Sequence, residues 1–146
     1  IIVLYMDDCL CFSPKDDVMP QLIEDLCRDG FLLKDEGAIN DFLGVNIKRH
    51  DDHIEMTQTG LIDQILSDLG LNHENTTRKY TPATSVLHPE LDGQERKEKW
   101  NYRSVIGKMS FLAQMTRCDI AFTVHQCACF SQVPKLIHEK AVKYIG

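Results

Sequence analysis

Long apolar runs are missing from this chain, and that absence is the first constraint on it. The longest apolar stretches are a few residues, far short of the ~20 needed to cross a bilayer, so no membrane partner is expected. No basic segment leads into an apolar one near the first residue, so no secretory signal is visible and an intracellular protein is expected. The six cysteines include no C-x-x-C pair, which removes the zinc-ribbon and redox spacings. Reduced thiols packed as small apolar side chains are the favoured reading. An initiator Met is also lacking. The chain opens Ile1-Ile2-Val3-Leu4, a run expected inside a buried strand, so it reads as a piece of a longer protein. What is present, 146 residues of which 43% are hydrophobic and 26% charged, is enough for one ordinary domain or two small ones and rules out wholesale disorder.

Charge is uneven. Residues 1–57 hold 5 Lys/Arg against 13 Asp/Glu, whereas residues 101–146 hold 6 against 2. An acidic front and a basic tail suit a metal-binding end and a phosphate-facing end; chance surface charge is the competing reading.

Ile1 to Ser13 reads as a tight hairpin with Asp7-Asp8 at its tip. Ser13-Pro14 predicts a helix start, with Ser13 as N-cap, Pro14 at the first helical position and Asp16 and Asp17 in the first turn. Val18, Leu22, Ile23 and Leu26 continue the helix, Pro20 disturbs its early turns, and Asp29-Gly30 ends it. A second hairpin is predicted with arms Phe42–Ile47 and His53–Thr57. Thr59 is a candidate cap for a helix whose stripe is Leu61, Ile62, Ile65, Leu66 and Leu69, closed by Gly70. Residues 71–99 read as a linker or surface-draped loop. Helical patterns follow at 102–115, Ile120–Phe130 and Lys135–Ile145.

Tyr5-Met6-Asp7-Asp8 is the most informative feature. Two adjacent carboxylates between apolar strands repel each other, and partial burial raises that cost. A divalent cation with hard oxygen ligands removes it, and two such ions would support phosphoryl transfer. A solvated Asp-Asp turn is the alternative. His50-Asp51-Asp52-His53 offers metal-type ligands but sits at a predicted turn, where solvation is favoured. His125 and Cys129, four apart on a helix, are read as packed core groups, since zinc would need two further ligands. Arg103, Lys108, Lys135, Lys140 and Lys143 are candidate phosphate contacts, with solvated helix faces as the alternative.

The tetrapeptide Tyr5-Met6-Asp7-Asp8 resembles the Y-x-D-D signature of reverse transcriptases. Phe42-Leu43-Gly44-Val45-Asn46-Ile47 is similar to the F-L-G strand of copia-type retrotransposon polymerases, Tyr102–Gly107 to their Y-R-S-x-x-G helix start, and Thr116–Phe122 to their T-R-P-D-I segment, with Phe130-Ser131 and Pro134 following in register. Cys118 stands where that motif has proline, which removes a fixed φ from the helix start. These ordered motifs cover essentially the whole chain. The resemblance implies an α+β fold: a partial palm of two β-hairpins and a helix over 1–57, a helix plus linker over 58–100, and an α-helical thumb-like or connection region over 101–146.

It further implies an RNA-directed DNA polymerase using Mg2+, or Mn2+ as a substitute, with Asp7 and Asp8 as metal-binding catalytic carboxylates. Tyr5, Met6, Phe42, Leu43, Gly44, Arg103 and Lys108 become primer or nucleic-acid contacts, and Lys34 a candidate general acid. The partners would be an RNA or DNA template with its primer, deoxynucleoside triphosphates, and the rest of a polyprotein, in a cytoplasmic particle or the nucleus. The family's site needs a third carboxylate on a strand upstream of the hairpin, so the chain alone is expected to be inactive. A decayed element product, non-catalytic and at most nucleic-acid binding, is the rival reading.

Overall fold

Apolar residues recurring every three to four positions from Leu61 onward gather the core. The computed structural model describes residues 1–6, 8–15, 17–71, 79–90 and 92–146. The sequence expectations for Asp7, for Asp16 and for residues 72–78 lie outside those residues. The chain divides into two compact units, Ile1–Ile39 and Asn40–Gly146, so the second hairpin lies in the same unit as the helices that follow it.

The first unit holds β1 (Ile2–Tyr5), β2 (Asp8–Cys11) and α1 (Val18–Arg28). β1 and β2 pair antiparallel, with Ile2 opposite Cys11, Val3 opposite Leu10, Leu4 opposite Cys9 and Tyr5 opposite Asp8. The helix begins four residues later than Pro14: Asp17 occupies the N-cap position, without a side-chain cap bond. The Ser13 hydroxyl instead accepts the Lys15 amide at 3.1 Å, a local turn that competes with helix initiation. Pro20 consequently falls in the first turn, where an amide has no intrahelical acceptor anyway, and costs the helix little. The predicted stop at Asp29-Gly30 is present: the Phe31 amide donates to Leu26 and the Gly30 amide to Cys27, the paired bonds of a Schellman ending. No described residue of 1–39 is buried.

The second unit opens with β3 (Asp41–Phe42), β4 (Val45–Arg49) and β5 (Ile54–Thr57), a three-stranded antiparallel sheet in that order. Phe42–Ile47 is therefore not one strand. Phe42 pairs with Val45, and the chain reverses at Leu43 (φ 52°) and Gly44 (φ 74°). Left-handed conformation at both central positions is what a two-residue hairpin loop of matching twist requires. Among the described residues four α-helices follow: α2 (Thr59–Asp68), α3 (Tyr102–Met115), α4 (Ala121–Ala128) and α5 (Leu136–Ile145).

Gln58, not Thr59, holds the N-cap position of α2; the Thr59 hydroxyl donates to Asn46 Oδ1 at 3.3 Å, tying helix to sheet. Gly70, at φ 64°, closes α2 as expected, with the Leu71 amide reaching Leu66. The stretch read as helix from Ile120 to Phe130 is a 3-10 turn at Cys118–Ile120 running into the shorter α4. The core joins Ile65 and Leu69 to Tyr102, Val105, Ile106, Met109 and Leu112 of α3, Val124 and Cys127 of α4, and Val142 of α5. Burying each large aliphatic side chain there contributes roughly 1.5–3 kcal/mol.

Candidate active site

An apolar strand that reverses over two residues sets the first part of the site. The register pairs Tyr5 with Asp8, leaving two positions for the reversal. Met6 has φ 52° and is 89% exposed; Asp7, next in sequence, lies outside the described residues. A left-handed non-glycine residue costs about 1–2 kcal/mol, and such strain gathers at functional turns. Asp8 begins β2 with its side chain exposed and makes no ion pair among the described residues. No group of three or more His, Cys, Asp or Glu able to hold a metal occurs among those residues.

Lys34 is exposed and pairs with Glu36 at 2.6 Å. Its hydrogen bond to that carboxylate raises its pKa, which makes it a weaker acid. Phe42 and Leu43 are half-buried and Gly44 exposed at the tip of the β3–β4 hairpin.

The basic residues are largely engaged within the chain. Lys108 meets Asp68 at 2.8 Å, joining α3 to α2. Lys135 pairs with Glu95 and Lys143 with Glu98. Arg103 Nε donates to the Ser131 carbonyl at 3.0 Å, and Lys140 is exposed. The acids of the 92–99 stretch thus cancel part of the positive charge of the last helix, which neither of the alternatives read from sequence foresaw.

The remaining motif residues hold the architecture. Asn101 caps α3 by accepting the Ser104 amide at 3.1 Å. The Tyr102 hydroxyl donates to the Cys127 carbonyl at 3.0 Å, and burial raises its pKa. Burial likewise pushes the Cys127 thiol up to about 11. Arg117 grips Asp119 through two bonds of 2.8 Å, which hold the Asp119 carboxyl below its ordinary value, while Thr116 donates to Gln58 at 2.9 Å.

Two expectations fail here. Cys127 is the only cysteine that is buried; Cys9, Cys27, Cys118 and Cys129 are exposed and Cys11 half-buried. His125 is exposed too, so it and Cys129 are not packed core groups: the face of α4 turned to the core is Thr123, Val124 and Cys127. His50 and His53 are exposed and stack with ring centroids 4.3 Å apart. Sequence reasoning missed a buried polar knot. Glu139, 3% exposed, accepts from Arg96 Nε at 3.3 Å and from the Glu98 amide at 3.1 Å. Beside it, the buried His138 accepts the Lys135 amide at 2.9 Å. Arg96 also lies over the Trp100 ring at 4.4 Å. An isolated Arg and Glu 43 positions apart carry no local signal of such a contact.

No protein-family model matches the chain, and no solved structure matches it. An uncharacterised mitochondrial protein of Arabidopsis thaliana is 29% identical over 124 residues, covering 85% of this chain and 50% of that protein. A putative transposon Ty5-1 protein of Saccharomyces cerevisiae is 25% identical over 145 residues, 99% of this chain and 46% of that protein. The retrovirus-related Pol polyprotein from transposon RE1 of Arabidopsis thaliana is 25% identical over 147 residues, 99% of this chain and 10% of the polyprotein. The chain spans about half the length of the first two relatives and a tenth of the third. Over nearly its whole length the chain is thus similar to a transposon protein and to a retrovirus-related Pol polyprotein.

Proposed function

We propose that this chain supplies part of the catalytic centre of a copia-type reverse transcriptase, an RNA-directed DNA polymerase, with Asp7 and Asp8 as the carboxylates that hold Mg2+. The observation that carries this reading is the tight hairpin that pairs Tyr5 with Asp8 across a left-handed Met6. It sits in a chain related to Pol polyproteins.

The donor set suits a hard divalent ion, since the carboxylate of Asp8 is exposed and oxygen ligands are what Mg2+ takes. When bound, the metal stabilises charge developing on the transferred phosphoryl group. The chain's own residues would position the substrates. Strand pairing fixes Tyr5 against Asp8, and the exposed Met6 offers an apolar contact beside the carboxylates. Phe42, Leu43 and Gly44, at the tip of the β3–β4 hairpin, would contact the primer. Arg103 and Lys140 face template–primer phosphates, an attraction that weakens steeply with salt. Lys108, already neutralised by Asp68, contributes less. A deoxynucleoside triphosphate would be the substrate that such a metal-bound centre adds to the primer.

Asp7→Asn in the intact polyprotein keeps the side-chain size and removes the charge. Single-turnover primer extension should fall on the order of 10²–10³-fold or more, while template–primer affinity changes little. Extension at the wild-type rate would make Asp7 no metal ligand and the hairpin tip only a turn, and would favour the non-catalytic product.

A further inference from the structure

Cys9 and Cys11 stand two apart on β2, so both thiols lie on one face of the strand. Their sulfurs are 3.5 Å apart. Their cross-strand partners Leu4 and Ile2 flank them with apolar side chains. Among the described residues this is the one pair of cysteine sulfurs in contact: Cys129 donates to the His125 carbonyl instead, and Cys127 is buried in the core.

An extended strand separates the two Cα atoms by about 6.8 Å, the outer limit for a disulfide, so closing a direct S–S bond would distort β2. A bridging atom needs no such distortion. Two thiolates ~2.3 Å from a tetrahedral centre sit about 3.8 Å apart, close to the observed separation. Thiolates select soft centres, in contrast to the hard ion suited to the neighbouring Asp8. No third His, Cys, Asp or Glu joins the pair among the described residues, so the ligand must bring its own remaining substituent. The short bite favours the bent geometry of trivalent arsenic over a linear two-coordinate ion.

We propose that Cys9 and Cys11 form a dithiol site that captures a monosubstituted, thiophilic trivalent arsenic centre. With an arsine oxide the step balances without any oxidant. Two S–H bonds and the As=O bond break, two S–As bonds form, water leaves, and arsenic stays trivalent.

The test treats the reduced full chain with phenylarsine oxide, followed by excess monothiol and intact-mass measurement. One adduct should survive the monothiol and be removed by a dithiol. Peptide mapping should place it on the segment ending at Lys15, which holds both residues. Cys27→Ser should keep the adduct. Cys9→Ser and Cys11→Ser should each weaken retention on the order of 10²–10⁴-fold, because the second bond forms at high effective concentration. A wild-type adduct that monothiol strips, or one that maps to Cys27, Cys118, Cys127 or Cys129, would overturn the proposal. The mapping is done on the wild-type chain and so does not depend on either variant folding.

Discussion

At the residue scale, burial decides which groups are sensitive to conditions. Cys127 is wholly buried and its thiol titrates at about 11 against an ordinary 9.0. The folded state therefore holds its proton where the unfolded chain releases it. The stability this confers is fully present below pH 9.0 and is lost as the pH rises towards about 11, at a cost on the order of 2–3 kcal/mol. Tyr102, raised above 10.0 by the same burial, adds to the loss further up. Denaturant unfolding between pH 8 and 11 should show this decline, and Cys127→Ala should flatten its first part while keeping the backbone bond from Tyr102. Equal slopes in wild type and variant would remove Cys127 as the cause. Burial also makes the Arg96–Glu139 pair costly to break, since a buried charge stripped of its partner costs about 3–5 kcal/mol.

At the scale of elements, local chemistry was readable where one pattern acted alone. The stripe Val105, Ile106, Met109 and Leu112 predicts α3, and Asn101 caps it. Reading failed where two signals competed. Ser13-Pro14 looks like a helix start, yet the Ser13 hydroxyl takes the Lys15 amide and the helix waits for Val18. Phe42–Ile47 has a strand's composition, yet its Leu43-Gly44 pair turns. Gly44, at φ 74° with open space around a would-be Cβ, tests that turn. Gly44→Ala should destabilise by about 1 kcal/mol through backbone strain alone, and Leu43→Asn, better suited to the left-handed region, should offset part of it. Thermal melts of the single and double variants measure both. A neutral Gly44→Ala would mean the turn is not left-handed in solution.

At the scale of the molecule, every buried residue described lies in the Asn40–Gly146 unit. Residues 40–146 alone should keep the cooperative thermal transition of the full chain, with amides of α3 and α4 protected from hydrogen exchange and those of β1 and β2 exchanging fast. Loss of the transition on removing 1–39 would refute this. The sequence by itself determined that a hairpin lies within residues 1–13 and that three helical segments follow residue 101, because helical and strand periodicities and turn residues act over a few positions; it set the hairpin tip at Asp7-Asp8, whereas Asp8 already pairs with Tyr5 in β2. Only the tertiary structure decided what the charges do. Lys108 finds Asp68, Lys143 finds Glu98, and Glu139 is sealed beneath Arg96. Ion pairs join residues some 40 or more positions apart, and no local pattern encodes a distance that exists only once the helices have packed.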